Sequence, residues 1–481
     1  MRASVNLLRV QRSAPQFAIA QVCFGIFTLI LLSGYAVLGK GFAYIGVPPF
    51  AYVGEIGVLL AIIALCSAIY RRLWLSSISW LIVAFMLWGS LNTFPYVATY
   101  GVDTLRDGVM WAYAIYALAV ATTLLRLNAI DKVTNLYSRG LRIFLVVAPI
   151  ALAISLLANN LIPRWPWGPD EGVSVLFVKT GDLAVHYAGA FPFIVYGLSS
   201  NPLGASWMAL WMLGATPLAA LGRGSLLTVA ASVGFVMLLR PPLKSYYAMI
   251  VGGVCIIFFY LTLMVVSPNG IDPGSSNRRI LSIGQIVDNA QSIFFKSDRT
   301  DLDLEGTKRW REMWWDKIVD YTVYGDFFWT GKGFGINLAD DDGFQGGVDH
   351  SLRSPHSAHM TILARSGVPG LLLWIVLQAT FALKLFQNFL RDRRAKRSKL
   401  AALELWILLY WLGFMLNGSF DVFLEGPQGG IWFWSVFGFG LALIVDRQRM
   451  AKQDNHPLAG RPSRATPAVH AMRPPEESLL M

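Results

Sequence analysis

Two histidines stand just ahead of an apolar run in "SPHSAHMTILARSGVPG", residues 354–370. An unperturbed imidazole titrates at about pH 6.5, so His356 can act as a general base at neutral pH. The alternative is that His356 only bonds a loop carbonyl. His359 follows three residues later and shares its face if a helix has already begun. A metal site would need further ligands, such as the aspartates of "ADDDGF" at 339–344, a run more typical of a solvated turn.

Arginines offer a second kind of chemistry, because a guanidinium forms bidentate bonds with phosphate. Arg223 stands alone in "AALGRGSLLTVA" between two apolar stretches, where it either binds an anion or extends to the lipid headgroups. Arg106 has Asp103 and Asp107 beside it, which favours a local ion pair. Four more arginines occur in a long segment that also carries acids, where each one alone is more typical of a structural ion pair. These four are Arg278, Arg279, Arg309 and Arg311.

The elements that position these side chains are membrane helices. The chain is 55% hydrophobic and 14% charged, whereas soluble domains carry about 25% charged residues. Because a helix needs about 20 apolar residues to cross the hydrocarbon, the pattern predicts an all-α polytopic membrane protein with about twelve transmembrane helices. The twelve stretches are 17–38, 51–70, 73–95, 108–125, 143–162, 184–199, 204–221, 224–240, 245–267, 368–387, 401–417 and 429–446.

The distribution of lysine and arginine predicts the orientation of the chain. With the N-terminus inside, most of the 40 basic residues fall on the inner side, including the cluster "RDRRAKRSK" at 391–399. The long outer segment 268–367 is exempt from this rule. We therefore expect both termini in the cytoplasm and contacts with anionic membrane lipids. The formal charge of +11 is then an orientation signal, and a nucleic acid partner is not expected.

The predicted organisation has five parts. They are a cytoplasmic N-terminus at 1–16, helices one to nine within 17–267, a long outer loop at 268–367, helices ten to twelve within 368–446 and a disordered cytoplasmic tail at 447–481. Within the outer loop, helical spacing predicts an amphipathic helix near 305–322. Its shared face consists of Trp310, Met313, Trp314 and Lys317. Six glycines predict a loop at 331–350, where "GKGFG" lacks the spacing of a nucleotide-binding phosphate loop.

The order of these motifs resembles the O-antigen ligase and polymerase family of bacterial envelopes, over roughly residues 20–445. The family shows an outer histidine ahead of a Gly-x-Pro-Gly helix start, and His356 stands eleven residues before Gly367 of "GVPG". Arg223 matches the arginine of the family's tight turn. Arg311 matches a loop arginine four residues before a tryptophan, and Arg309 is the runner-up for that position.

Two residues depart from the family pattern. Ser357 stands where the family usually has asparagine, which leaves the role of that amide unassigned, and Gly222 stands where it has serine. The resemblance implies a GT-C-like fold in the bacterial inner membrane, with a periplasmic outer loop carrying short helices. It also implies an inverting, metal-independent glycosyltransferase that needs no cofactor. The implied catalytic base is His356. The implied diphosphate-binding residues are Arg223, Arg311, Arg309, Arg106 and Arg279.

The resemblance also implies the substrates. The donor is a glycan linked to undecaprenyl diphosphate, and the acceptor is a hydroxyl of another glycan repeat, of lipid A core or, in a third branch, of protein. Other proteins of envelope polysaccharide assembly are possible partners. The loop favours polymerase or exopolysaccharide assembly slightly over ligase. The alternatives are a lipid-linked glycan transporter or flippase, which would carry charged or broken segments at mid-membrane, and a non-catalytic membrane scaffold.

Overall fold

The computed structural model describes residues 15–47, 51–67, 70–166, 172–241, 243–266, 286, 289, 304–345 and 350–454. One antiparallel strand pair is present among these residues, β1 (Gly46–Val47) with β2 (Ala51–Tyr52). The first eleven α-helices are α1 (Pro15–Leu38), α2 (Val53–Ser67), α3 (Ser77–Leu91), α4 (Val97–Tyr100), α5 (Val102–Ala112), α6 (Ile115–Leu127), α7 (Ile130–Leu157), α8 (Thr180–Tyr196), α9 (Ala205–Leu221), α10 (Arg223–Leu238) and α11 (Leu243–Val266). The remaining five are α12 (Leu304–Val323), α13 (Leu338–Asp342), α14 (Ala358–Arg394), α15 (Ser398–Gly418) and α16 (Pro427–Asp454).

The chain is a polytopic helical membrane protein. Each of the twelve predicted stretches overlaps one of these helices or the α5–α6 pair. Six of the described helices are long and apolar enough to cross a membrane, or seven if α5 and α6, which are bent by 42°, form one span. The apolar helices α2, α9 and α10 are shorter. The count of twelve spans therefore stays a prediction.

Helix α8 coincides with the sixth stretch, which is short and contains a histidine. Every residue from 182 to 195 is buried, and the helix packs against α9, α10 and α15. His186 is satisfied there by a 2.7 Å hydrogen bond with the hydroxyl of Tyr410. By contrast, Ile26 and Ile30 of α1 are each 55% exposed, as expected of a helix that faces lipid. The position of α8 inside the bundle explains why its sequence need not be uniformly apolar.

Helix α14 is broken within the "GVPG" motif. Gly367 has φ 67° and ψ −172°, a combination that is essentially restricted to glycine. A Cβ atom on Gly367 would lie 2.5 Å from the Phe328 carbonyl oxygen. The Val368 N–H donates to that oxygen at 2.8 Å, and the Lys332 N–H donates to the Ala364 carbonyl at 2.8 Å. The turn after α12 thus satisfies backbone groups that the break releases.

The outer segment has a small core of its own. It is built by Trp314, Ile318, Leu338, Ala339, Leu363 and Ala364. The predicted amphipathic helix near 305–322 is confirmed as α12, but Met313 is 54% exposed and does not belong to its buried face. The prediction of a continuous loop at 331–350 was wrong for α13, whose Asn337 side chain accepts a hydrogen bond from the Ala339 N–H at its N-terminus.

The last helix is longer than its apolar stretch. Helix α16 continues to Asp454, past the predicted start of the cytoplasmic tail at residue 447. Residues 455–481, which make up the rest of the predicted tail, lie outside the described part of the chain, as do residues 1–14 at the other end.

Candidate functional site

His356 lies immediately before α14 in an unusual backbone conformation. Its φ is 53°, which places a non-glycine residue in the left-handed region. The carbonyl of the preceding residue, Pro355, accepts a 2.9 Å hydrogen bond from the indole of Trp315. The Trp310 ring lies edge-on to the imidazole, with 6.0 Å between ring centroids. Helix α12 therefore holds the histidine from one side.

Ser357, which stands where the resembling family usually has asparagine, is the N-cap of α14. Its side chain accepts a 3.4 Å hydrogen bond from the Met360 N–H, and its carbonyl accepts from the Thr361 N–H at 2.9 Å. Serine and asparagine are both preferred at helix N-caps. The departure from the family pattern thus preserves helix capping beside the histidine.

The electrostatic surroundings of His356 are mostly positive. Burial lowers the pKa of its imidazole below the usual value, and the charge of Arg311 lowers that pKa further. Lys179 acts in the same direction, whereas the carboxylate of Asp421 opposes them. The imidazole is therefore neutral near pH 7 and can accept a proton.

Arg311 projects from α12 into the same region. Burial lowers the pKa of its guanidinium, Asp421 opposes this effect, and the charge of Arg223 adds to it. The Nε of Arg311 is shielded from solvent and has no hydrogen-bond partner among the described residues. A buried guanidinium N–H without a partner is costly, so an anionic ligand at this position would gain a hydrogen bond that the chain itself does not supply.

Arg223 is the first residue of α10. Gly222 precedes it as the N-cap and makes no side-chain capping bond. The first-turn N–H groups of a helix have no intrahelical partners and carry partial positive charge. The "GRG" turn therefore combines a guanidinium with a helix N-terminus, which is a suitable environment for phosphate oxygens.

Lys179 and Asp421 belong to the same region, although the sequence alone did not single them out. They form an ion pair at 3.6 Å, with Lys179 as the N-cap of α8 and Asp421 just after α15. Burial lowers the pKa of Lys179, but Asp421 and neighbouring acids outweigh it and raise the pKa. The signal that was available is that Lys179 is one of few basic residues in the short outer loops.

The same end of the bundle holds His356, Arg311, Arg223, Lys179 and Asp421. Helices α8, α10 and α14 begin there, and α15 ends there. We call His356, Arg311, Arg223, Lys179 and Asp421 the outer cluster. It combines three cations and an imidazole with the Asp421 carboxylate, and Lys179 also interacts with Asp182 and Glu425.

His359 is engaged differently from His356. Its Nδ1 accepts a 3.1 Å hydrogen bond from the indole of Trp374, and its Nε2 lies 3.1 Å from the Ser419 hydroxyl. Both ring nitrogens thus have partners, and Nδ1 is the acceptor. His359 therefore connects α14 to the end of α15 and has a structural role.

The other three predicted diphosphate-binding arginines are not brought into the outer cluster by the described contacts. Arg106 forms ion pairs with Asp103 at 3.1 Å and Asp107 at 3.4 Å, which is the local pairing that its sequence neighbours favour. Arg309 lies exposed on α12. Arg279, like Arg278, lies outside the described residues. The phosphate-binding roles of Arg106, Arg309 and Arg279 remain sequence-based predictions.

The "ADDDGF" run is used for packing. The Asp342 carboxylate is buried and accepts a 2.7 Å hydrogen bond from the Trp314 indole. Lys332 pairs with Asp341 and Asp342, and its ammonium lies 4.0 Å from the centroid of the Tyr321 ring. The lysine of "GKGFG" therefore anchors α13. Within the described ranges, no group of three or more His, Cys, Asp or Glu residues is arranged to hold a metal ion.

These features define a class: a polytopic helical membrane protein with a basic cluster and a neutral histidine at one end of its bundle. Residues 208–375 match the family model described as O-Antigen ligase. The match runs from α9 into α14 and includes Arg223, Arg311 and His356, so the resemblance to that family is confirmed over this part of the chain. It supports a glycan-transferring role in O-antigen assembly. No curated protein matches the chain.

Proposed function

We propose that the protein is an inverting, metal-independent glycosyltransferase of the GT-C type. On this proposal it crosses the bacterial inner membrane twelve times, with both termini in the cytoplasm, and moves a glycan from undecaprenyl diphosphate to an acceptor hydroxyl on the periplasmic side. The observation that carries the proposal is the outer cluster, in which a neutral imidazole and three cations lie together at one end of a membrane bundle.

The donor diphosphate would bind to Arg223 and Arg311. Arg223 adds its guanidinium to the N-terminus of α10, and Arg311 has a shielded Nε without a described partner. Phosphate oxygens suit both groups. A polyprenyl diphosphate has its lipid in the bilayer and its sugar in water, so its charged group must lie at the membrane edge, where the transmembrane helices end.

His356 would act as the general base. The acceptor O–H transfers its proton to the imidazole while its oxygen attacks the anomeric carbon. The bond between the anomeric carbon and the diphosphate oxygen breaks, and its electron pair leaves with the lipid diphosphate. The arginines stabilise the negative charge that develops on that group. A single displacement inverts the anomeric carbon, and the imidazolium then returns its proton to water.

A transporter or flippase is the alternative, and no described contact favours it over the transferase. Glycan analysis distinguishes a transporter from a transferase. The analysis uses a deletion strain that is complemented with the wild type, with His356→Ala or with His359→Ala. The transferase predicts that His356→Ala fails to restore the transfer product, which is polymer for a polymerase and lipid A-linked glycan for a ligase, although the protein is present and repeat units are still exported. Restoration of that product by His356→Ala, or a block in export, would contradict it.

The same strain distinguishes two acceptors. Single repeat units accumulate on the carrier lipid if the protein is a polymerase. Full-length glycans remain on the carrier, with unmodified lipid A core, if it is a ligase. Chain-length analysis of the carrier-linked and lipid A-linked glycans measures both outcomes in one experiment. We favour polymerase, because the aromatic loop resembles that of polymerase and exopolysaccharide assembly members of the family.

A further inference from the structure

The backbone around His356 is held by three different elements, α5, α12 and α14. We call residues 353–357 the His356 segment. A left-handed conformation at a non-glycine residue costs about 1–3 kcal/mol and persists only where its surroundings fix it. Contacts of Arg353, Pro355 and Ser357 lead to different parts of the chain. The contact of Arg353 ends on a buried carboxylate that the proposed reaction does not use.

Arg353 connects the segment to α5. Its guanidinium donates to Asp107 at 3.0 Å and to the Gly335 carbonyl at 2.9 Å, and it lies 3.5 Å from Asp103. Asp107 is only 9% exposed. The same oxygen of Asp107 also accepts from the Gly335 N–H at 3.2 Å. Asp107 therefore joins the start of the His356 segment to the glycine-rich loop.

Arg365 completes the arrangement around Asp107. Its side chain is 2% exposed and lies 3.0 Å from Asp107. It also donates to the carbonyls of Gly333 at 3.3 Å and Ile336 at 3.2 Å. One carboxylate thus bridges an arginine two helical turns into α14 and an arginine ahead of His356, so it fixes where the first turn of α14 begins.

The remaining flanks are held by other elements. Ser354 is buried. Pro355 accepts from Trp315 of α12 at 2.9 Å. Ser357 caps α14. The imidazole of His356 faces the other residues of the outer cluster.

Burying these charges is not an efficient way to stabilise a fold. A buried ion pair often contributes little net stability compared with apolar packing of the same volume, because desolvation offsets the attraction. Directional bonds instead specify one geometry. A network that converges on the backbone of a strained histidine is therefore best explained by the position that it gives to that histidine.

Resting on the proposed function, we propose that Asp107 is a positioning residue for His356, which acts through Arg353 and Arg365 to hold its backbone in the left-handed conformation. The Asp107 carboxylate takes no part in proton transfer. Its loss moves the imidazole out of line with the acceptor hydroxyl and leaves Arg223 and Arg311 in place.

The test compares Asp107→Asn and Trp315→Phe with the wild type in nanodiscs, using a lipid-diphosphate glycan donor. Asp107→Asn keeps the side-chain size and removes the charge that pairs with Arg353, Arg365 and Arg106. Trp315→Phe is milder, since it removes the bond to Pro355 and part of the ring but leaves every charge in place. Lys308→Met is the control, because Lys308 forms an exposed 3.9 Å pair with Glu312 on α12. His356→Ala is measured beside them.

We expect kcat to fall roughly 10- to 100-fold for Asp107→Asn, in line with the cost of a small misplacement of catalytic groups, while KM for the donor stays unchanged. The acid limb of the pH profile should also move to higher pH. A displaced His356 loses the burial and the Arg311 and Lys179 charges that lower its pKa, and these outweigh the opposing Asp421. Trp315→Phe should change kcat and the pH profile in the same directions by less.

A purely structural role predicts less folded protein with an unchanged pH profile and unchanged kcat per folded molecule, and that result in both variants would overturn the inference. If Asp107→Asn does not fold, Trp315→Phe decides the outcome. Full activity of His356→Ala would instead refute the proposed function itself, so the two failures are distinguishable.

Discussion

Replacing Gly367 by alanine tests how the membrane helix and the outer segment are joined. Gly367 has φ 67° and ψ −172°, and imposing this conformation on alanine costs about 1–3 kcal/mol. The new Cβ would lie 2.5 Å from the Phe328 carbonyl oxygen and 2.8 Å from the Trp329 carbonyl carbon. Relieving such overlap in a packed region costs about a further 1–3 kcal/mol. Gly367→Ala should therefore lower the free energy of unfolding by roughly 2–6 kcal/mol.

The free energy of unfolding is measured by titrating the detergent-solubilised protein with SDS in mixed micelles. Gly140→Ala is the matched control, because Gly140 lies within α7 and a Cβ there meets no atom within 4 Å. That control should be neutral or stabilising by about 0.5–1 kcal/mol, as expected for a glycine in a helix. Equal stability of Gly367→Ala and Gly140→Ala would refute the account of the break in α14.

Three further predictions concern charge. Arg311→Met removes a cation that lowers the pKa of His356, so the pKa rises and the acid limb of the pH–rate profile should move to higher pH; an unshifted limb would contradict this coupling. Lys332→Met leaves the fully buried Asp342 side chain without its cation and should destabilise the protein by about 3 kcal/mol, measured by SDS titration. The exposed Lys308→Met should cost less than about 0.5 kcal/mol in the same measurement, and similar losses for both lysines would refute the distinction.

Much of the fold follows from hydrophobicity alone. Apolar stretches and basic loops predicted where helices lie, since lipid requires every backbone group to be paired within a helix. Length did not reveal which helices lie inside the bundle. Helix α8 is short and nearly all buried, because neighbouring helices rather than lipid surround it. Its histidine was the only sequence sign of that position.

The candidate site was predictable only in part. The order of motifs pointed to His356, Arg223 and Arg311, which the fold brings together. Lys179 and Asp421 are close to them because helices of different sequence position end at the same level, and a one-dimensional pattern does not contain that information. An ion pair between residues 179 and 421 has no local signature.

The glycine-rich loop shows a different limit of prediction from sequence. "GKGFG" lacks the spacing of a phosphate loop, and the sequence assigned it no other role. In the structure its carbonyls bind Arg353 and Arg365, and its lysine pairs with aspartates. Glycine is needed there because the loop approaches other backbone closely, as at Gly331, whose Cβ would lie 2.6 Å from the Ala364 carbonyl oxygen. Composition identified the glycines but not the reason for them.

The most direct test of the central claim is the rate of glycan transfer by purified His356→Ala protein, in nanodiscs, from a lipid-diphosphate-linked donor. Loss of a general base should lower kcat by roughly 10²- to 10⁴-fold, while donor binding, which depends on the arginines, is retained. A kcat for His356→Ala within about threefold of the wild type, outside the range expected for a lost general base, would contradict the assignment of His356 and the mechanism built on it.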